Sequence, residues 1–214
     1  MQFIRYGINL ERLHLNHLEM VRQWRNSNAV RTRMHYQEKI SPQQQISWFE
    51  QLSLLNNWYF VASVNQNPFG LLHVKNINWE KLVGESGAFI GDHVHVGDVE
   101  TGLAILAFMD FAFLILGLDQ LTAKYHPGFK KTVDLNNMLG YTVTDEESNG
   151  FVRASVTLEN YLQKTSALRK SAEKMRGSAT VIMDEGEWLA ERTALLRSTQ
   201  RQYLLEYLSQ PPPL

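Results

Sequence analysis

The segment at residues 91–113, GDHVHVGDVETGLAILAFMDFAF, has the features of an anion-binding site. It leads from a predicted strand through a short polar loop into a long apolar helix. Backbone amides at a helix start have no intrahelical partner, and together with the helix dipole they favour a bound phosphate. The amides that would point at such an anion are those of Val99, Thr101, Gly102 and Leu103.

Two acidic residues, Asp98 and Glu100, lie at the same helix start. A carboxylate there satisfies the helix dipole itself and repels a phosphate. Two interpretations therefore stay open: a rearranged loop that still binds phosphate, or acidic residues that only cap a helix.

Groups that could move protons lie close to this segment. Glu85 precedes it on the same predicted strand, His93 and His95 share one strand face, and Tyr125 ends a later strand. Imidazole titrates near neutral pH. Two histidines on one face also suit a metal ion, but no third ligand stands at metal spacing, so we expect no metal. A solvated strand glutamate and a packed strand tyrosine are the alternatives for Glu85 and Tyr125.

The composition is that of an ordinary globular protein with a substantial core. The chain has 214 residues, of which 44% are hydrophobic and 20% are charged, and its net charge is −1. Without a basic stripe, nucleic-acid binding is not expected. The absence of cysteine excludes disulfides, cysteine-ligated metals and thiol catalysis, and is compatible with a cytoplasmic protein. The N-terminus lacks a signal-peptide core, and the most apolar run, residues 102–118, carries Asp110, which favours a buried helix over a membrane span.

The hydrophobic pattern predicts a mixed sheet flanked by helices, an α/β (α+β) fold. In chain order it predicts a strand at 3–13, two short helices within 16–34 and a helix capped by Ser41. Three antiparallel strands follow within 58–94, then a helix at 100–116, a strand at 119–126, a helix at 129–139 ended by Gly140, and a hairpin within 141–157.

From residue 158 the sequence becomes charged and helical, without strand signals. We therefore expect one domain at 1–157 and a helical C-terminal extension at 158–214. Its apolar side chains predict packing on its own core, a homodimer through the C-terminal helices, or a cover over an acceptor site; they are Leu189, Leu195, Leu196, Tyr203, Leu204, Leu205 and Leu208.

Five segments in this order resemble the GNAT superfamily of N-acetyltransferases, over residues 1–160. They read WRNSNAVRTRM, ISPQQQISWFEQL, NPFGLLHVKNI, GLAILAFMDFAFLILGLDQLTA and LNNMLGY. The resemblance implies a GNAT acyl-CoA N-acyltransferase fold and acetyl transfer from acetyl-CoA to a primary amine. The opening segments are most similar to acetyltransferases of UDP-linked 4-amino sugars, such as the pseudaminic acid pathway enzyme. The ribosomal-protein N-terminal acetyltransferases are the second match.

The resemblance also implies where acetyl-CoA would bind. The backbone of Val94, His95 and Val96 would lie along the cofactor, and His93 lies in the same segment, from which an amide would bind the oxyanion. The helix-start amides would hold the pyrophosphate, and Lys130 and Lys131 would lie beside it, unless they are only a solvated helix start. The chain departs from the family loop at Gly97 and Glu100, and from the later helix at Phe129 and Asn136.

The remaining roles implied by the resemblance are catalytic and acceptor-binding. Glu85 would act as a base through water, and Tyr125 would protonate the departing thiolate. Arg25, Asn26 and Trp48 would face the acceptor, with solvated arginines and core packing as alternatives. Gln45 stands where the sugar branch often has His.

Attack on the thioester would be direct. The rival interpretations are a binding or scaffold module with a lost cofactor site, and an acetyltransferase for a protein N-terminus or an antibiotic amine.

Overall fold

A nine-stranded mixed sheet forms the centre of the molecule. The computed structural model describes residues 1–53, 55–91, 98–146, 150–178 and 180–183. The strands are β1 (Gln2–Arg5), β2 (Ile8–Arg12), β3 (Trp58–Val64), β4 (Asn67–Asn78), β5 (Val83–Ile90), β6 (Gln120–Tyr125), β7 (Thr142–Glu146), β8 (Val152–Thr157) and β9 (Thr180–Met183). Their order in the sheet is β7-β8-β6-β5-β4-β3-β2-β1-β9.

Helices cover both faces of this sheet. They are α1 (Leu18–Asn26), α2 (Asn28–Arg31), α3 (Pro42–Glu50), α4 (Val99–Asp110), α5 (Lys130–Leu139) and α6 (Leu158–Arg176). A 3₁₀ helix at Leu15–His17 precedes α1, and a π-helix at Phe111–Ile115 continues α4. This mixed α/β arrangement confirms the fold class predicted from the sequence.

The two sheet faces carry separate hydrophobic clusters because side chains alternate along each strand. Phe60 and Leu72 belong to the main core with α4, whereas Val61 and Leu71 belong to a smaller cluster with α1 and α3. The helix α4 is buried on almost every side, as its uninterrupted apolar sequence predicts. Within the described part of the chain, no helix is both long and apolar enough to span a membrane.

The N-terminal strand differs from its prediction. Residues 3–13 form the hairpin β1–β2, in which Arg5 pairs with Ile8 around a two-residue turn. Both turn residues have positive φ, +54° at Tyr6 and +73° at Gly7. Such a turn matches the right-handed twist of the strands. The prediction of one strand was wrong because Tyr, unlike Gly, gives no signal of a positive φ.

The region after Thr157 also differs. The sequence predicted no strand there, yet β9 pairs antiparallel with β1, with Gln2 opposite Met183. The open edge of β1 supplies the hydrogen-bonding partner that local sequence patterns cannot show. The preceding α6 packs on the main core through Tyr161, whose ring stacks on Phe113 at 5.1 Å. A domain boundary at 157 stays a prediction, and the leucines predicted to form a dimer lie outside the described residues.

A buried polar network ties β1, α4 and α6 together. Asp110 is 1% exposed and accepts hydrogen bonds from Arg5 Nε at 2.6 Å, Tyr6 Oη at 2.7 Å and Tyr161 Oη at 2.9 Å. Arg169 Nε lies 2.9 Å from its second oxygen. The charge that argued against a membrane span is thus a buried anion held by two cations and two phenols.

Candidate functional site

The sheet opens between β5 and β6. These strands are parallel neighbours, but they pair only where Val83–Glu85 faces Gln120–Thr122. Both continue beyond that point, to Ile90 and Tyr125, without further pairing between them. No strand of the described chain fills the gap. This V-shaped opening, here called the wedge, exposes strand backbone that a ligand can hydrogen-bond.

Tyr141 closes the narrow end of the wedge. Its hydroxyl lies 2.6 Å from Ser86 Oγ, which donates to the Thr122 carbonyl at 3.1 Å, and 3.7 Å from Met109 Sδ. Burial raises the pKa of Tyr141, so the phenol stays neutral. The sequence analysis missed this residue; the Gly140 helix stop directly before it was the available signal.

The start of α4 lies after the end of β5, and its acidic residues have defined partners. Asp98 Oδ1 accepts a hydrogen bond from the Thr101 amide at 2.9 Å, and the Asp98 carbonyl accepts from Gly102 at 3.3 Å. Asp98 is therefore a helix cap, which was one of the two interpretations of the sequence.

Glu100 forms an ion pair instead of standing alone at the helix start. Arg176, in the last turn of α6, donates from Nη2 to Glu100 Oε1 at 2.8 Å. The arginine offsets the negative charge that the sequence predicted would repel a phosphate. Next to it, a Cβ added at Gly102 would meet no described atom within 4 Å, so none of the described residues fills this side of the helix start. The region therefore fits a phosphate group better than the sequence alone suggested.

Residues 92–97, which join β5 to α4 in the sequence, lie outside the described residues. This range contains His93, Val94, His95, Val96 and Gly97, so their predicted roles stay predictions. At the near end of the loop, the Trp24 ring packs directly on Gly91. A Cβ at Gly91 would lie 2.1 Å from that ring. The end of α1 therefore meets the end of β5 beside the loop.

On the other side of the wedge, α5 begins at Lys130 without a side-chain cap from Phe129. Lys130 Nζ lies 2.7 Å from the Asp134 carboxylate, and both side chains are exposed. Lys131 is also exposed. Phe129 lies under Arg33, whose guanidinium carbon is 5.4 Å from the ring centroid. The role of both lysines beside the pyrophosphate stays a prediction.

The predicted proton-transfer residues lie on opposite faces of the sheet. Tyr125 faces the main core and is 8% exposed, and burial raises its pKa. Glu85 lies on the α1–α3 face, where Lys75 Nζ is 2.9 Å from its carboxylate. Tyr125 and Glu85 therefore lie on opposite faces of the sheet. A substrate group that contacts both would have to lie in the wedge.

Aromatic rings extend from α3 to β5 on the Glu85 side. Trp48 contacts Tyr59 edge-on at 5.1 Å, and Tyr59 stacks on His73 at 4.9 Å. The His73 ring covers Gly87 of β5, where a Cβ would lie 2.5 Å from it. Burial lowers the pKa of His73 to about 4, so this ring is neutral at pH 7. Trp48 packs in the smaller cluster, and the sequence analysis missed Tyr59 and His73.

The polar residues of α1 and α2 hold the loop that precedes α3. Arg25 Nη2 donates to the Tyr36 carbonyl at 2.6 Å, and Arg31 Nη1 donates to the Gln37 carbonyl at 2.8 Å. Asn26 donates to the Ile40 carbonyl and accepts from its amide, both at 2.8 Å. These bonds give Arg25 and Asn26 a positioning role. Their predicted contact with an acceptor stays untested.

Together, the splayed strands and the helix that follows β5 define the fold of GNAT acyl-CoA N-acyltransferases, as the sequence predicted. Spermidine N-acetyltransferase from Vibrio cholerae, in complex with CoA and spermine, superposes with a TM-score of 0.65 at 19% identity. The alignment covers 74% of this chain and 99% of that one.

A domain from Methanocaldococcus jannaschii gives a TM-score of 0.63 at 17% identity, covering 71% of this chain and 98% of its own. An uncharacterised protein from Bacillus halodurans gives 0.65 at 12% identity, with 77% and 91% covered. No protein-family model matches the sequence. No curated protein matches it either.

Proposed function

We propose that this chain is an N-acetyltransferase that moves the acetyl group of acetyl-CoA to a primary amine. The observation that carries the proposal is the wedge between β5 and β6, with α4 starting at its open end. A thioester in the opening would meet strand amides on one side and the Glu85 face on the other. The structural similarity to an enzyme that binds CoA and spermine supports the same chemistry.

In this reaction the amine nitrogen attacks the thioester carbon, and the bond from that carbon to sulfur breaks. The attacking nitrogen loses a proton, for which Glu85 acts as the base through a water molecule. The departing thiolate gains a proton from Tyr125. An amide in the His93 segment donates to the oxyanion as it forms. With no cysteine in the chain, attack is direct and no acylated thiol forms on the enzyme.

The pyrophosphate of acetyl-CoA would bind at the start of α4. Arg176 offsets the charge of Glu100 there, and no described atom fills the space beside Gly102, which leaves room for the phosphates among the described residues. Asp98 already engages the amides of Thr101 and Gly102, and the amide of Leu103 lies within the helix. The first-turn amides of Val99 and Glu100 and the lysines Lys130 and Lys131 would therefore complete the site.

For the acceptor, we keep the amino group of a nucleotide-linked amino sugar as the finer hypothesis. A sugar diphosphate needs cations in the acceptor site. Arg25 and Arg31 already donate to loop carbonyls, so they would have to give up these bonds to bind it. A polyamine acceptor, the substrate in the name of the structural relative from Vibrio cholerae, needs only carboxylates. Both classes belong in the same assay, together with a peptide N-terminus and an aminoglycoside.

The test is release of free CoA thiol from acetyl-CoA in the presence of each amine. Because the chain contains no cysteine, the protein itself gives no background with a thiol reagent. We expect turnover with one amine class and a loss of about 100-fold or more in kcat for Glu85→Gln, the usual contribution of a general base. Glu80→Gln, at an exposed position in the turn between β4 and β5, is the control and keeps wild-type turnover.

A CoA-free binding module is the second candidate, favoured by the Asp98 side chain on the Thr101 amide. Calorimetric titration with acetyl-CoA separates the two. Micromolar binding by the wild type supports the enzyme. Binding only after Glu100→Gly, or no binding by either protein together with no thiol release, supports the module.

A further inference from the structure

Three potential metal ligands meet at the connection between β2 and α1. Glu11 Oε1 lies 3.1 Å from His14 Nε2, and Glu11 Oε2 lies 3.7 Å from His17 Nε2. All three residues can offer ligand atoms within 4.8 Å of one another. The group lies in the described part of the chain and is separate from the wedge.

The local backbone explains why the three side chains converge. His14 caps the 3₁₀ helix Leu15–His17, and His17 ends it. A 3₁₀ helix has three residues per turn, so side chains three positions apart are eclipsed. The two imidazoles accordingly lie one above the other, with centroids 3.9 Å apart. Glu11 points toward both from the neighbouring strand.

The polar contacts of the two imidazoles are few among the described residues. In the described residues, the side-chain polar partner of each imidazole is Glu11. The second nitrogen of His17, Nδ1, is buried without a hydrogen-bond partner. Two imidazoles and a carboxylate form a donor set that suits Zn²⁺.

We propose that Glu11, His14 and His17 bind a divalent transition-metal ion of the Zn²⁺ type, with solvent completing the coordination. Tetrahedral zinc with bonds of about 2.0–2.2 Å places its ligand atoms about 3.4 Å apart. Both spacings between the carboxylate and an imidazole already bracket that value. The ligand atoms of the two imidazoles lie within 4.8 Å of each other, and the His14 side chain, which is 46% exposed, has room to rotate toward the ion. The proposed site is separate from the His93 and His95 pair, for which the sequence analysis expected no metal.

Such an ion would fasten β2 to the start of α1. Since α1 carries the Trp24 ring onto Gly91, the metal would hold the helix that meets the wedge. It would act on the position and stability of α1. The residues proposed for acyl transfer lie outside this cluster. The metal-site proposal can therefore be tested independently of the proposed function.

The experiment is a Zn²⁺ titration of chelator-stripped protein in competition with a chromogenic chelator. Wild type should bind one Zn²⁺. Glu11→Gln and His14→Asn should each weaken binding by about 100-fold or more, because losing a direct ligand should cost at least as much as losing an outer-shell partner. The matched control is the double variant His93→Asn/His95→Asn, which removes two histidines outside the cluster and should bind as wild type does. The Co²⁺-loaded wild type should show visible absorption bands of a four-coordinate site, and Glu11→Gln should lack them.

The proposal is wrong if the wild type binds no Zn²⁺, or if the His93/His95 variant loses binding while Glu11→Gln keeps it. Circular dichroism of each variant shows whether it is folded. His14 is largely solvent-exposed, so His14→Asn keeps the test decisive even if Glu11→Gln perturbs β2. A gain in thermal stability on adding Zn²⁺, present in wild type and absent in His14→Asn, is a second readout, since an ion that binds only the folded state stabilises it.

Discussion

The substitution Asp110→Asn tests how the C-terminal helix is attached to the core. It keeps the size of the side chain but removes its charge and turns one accepting oxygen into a donating NH₂ group. The side chain is buried, and so is Arg5, which is 5% exposed. After the change, Arg5 Nε and Arg169 Nε lose their common anion, although Arg5 Nη2 keeps Glu173 at 3.1 Å. The new NH₂ group faces hydrogen-bond donors.

The cost follows from that burial. Removing one partner of a buried ion pair costs about 3–5 kcal/mol, because the other charge stays buried without compensation. This is a large part of the total stability of a domain, about 5–15 kcal/mol. With a urea dependence of about 2 kcal/mol per molar, the midpoint of unfolding should fall by about 1.5–2.5 M.

The assay is equilibrium urea unfolding followed by circular dichroism and by tryptophan fluorescence. The control is Asp134→Asn, which removes an exposed i,i+4 pair with Lys130 and should cost less than about 0.5 kcal/mol. A change below about 1 kcal/mol for Asp110→Asn, indistinguishable from this control, would refute the network as a tie between β1, α4 and α6.

Three further predictions concern stability and pH, each measured by urea unfolding. The pKa of His73 is about 4 in the folded protein and 6.5 in the unfolded chain. Between these pH values the unfolded chain binds a proton that the folded protein does not. The contribution of His73, up to about 3 kcal/mol, is present above pH 6.5 and lost as the pH falls through 4, so His73→Gln should flatten the acid limb. Burial and the nearby Asp110 raise the pKa of Tyr6 to about 12, so its contribution is full below pH 10 and is lost as the pH rises through 12. Tyr6→Phe should remove about 2–3 kcal/mol of that alkaline slope between pH 8 and 12, and an unchanged slope contradicts the assignment. Gly87→Ala should cost about 1–3 kcal/mol by overpacking against His73. Gly102→Ala, which meets no described atom and lies within α4, should instead stabilise by up to about 1 kcal/mol.

Much of the fold could be predicted because its signals are local. Ser41 and Gln44 form the capping box that starts α3, and Gly140 ends α5 with φ +91°. The uniformly apolar α4 could only be a buried helix. Each of these depends on residues within one or two turns, where backbone sterics and hydrogen bonding act directly.

The candidate site was less accessible to the same reasoning. The Asp98 cap is local, and it was one of the two interpretations considered. The missed His73 lies between Tyr59 and Gly87 because three strands pair in one register. The sequence analysis also missed the group of Glu11, His14 and His17. The carboxylate of a strand residue lies beside both histidines only because the 3₁₀ turn brings their rings together.

By itself, the sequence determined the order of elements, the burial of α4 and the carboxylates at its start, since caps and hydrophobic periods are short-range properties of the chain. Only the tertiary structure decided that the sheet opens between β5 and β6, because strand pairing is a contact between distant segments. The same holds for Glu100, which looked like an obstacle to phosphate until Arg176, 76 residues away, was found 2.8 Å from it. The net charge at that helix start depends on the distance between the Glu100 carboxylate and the Arg176 guanidinium, which their separation in the sequence does not determine.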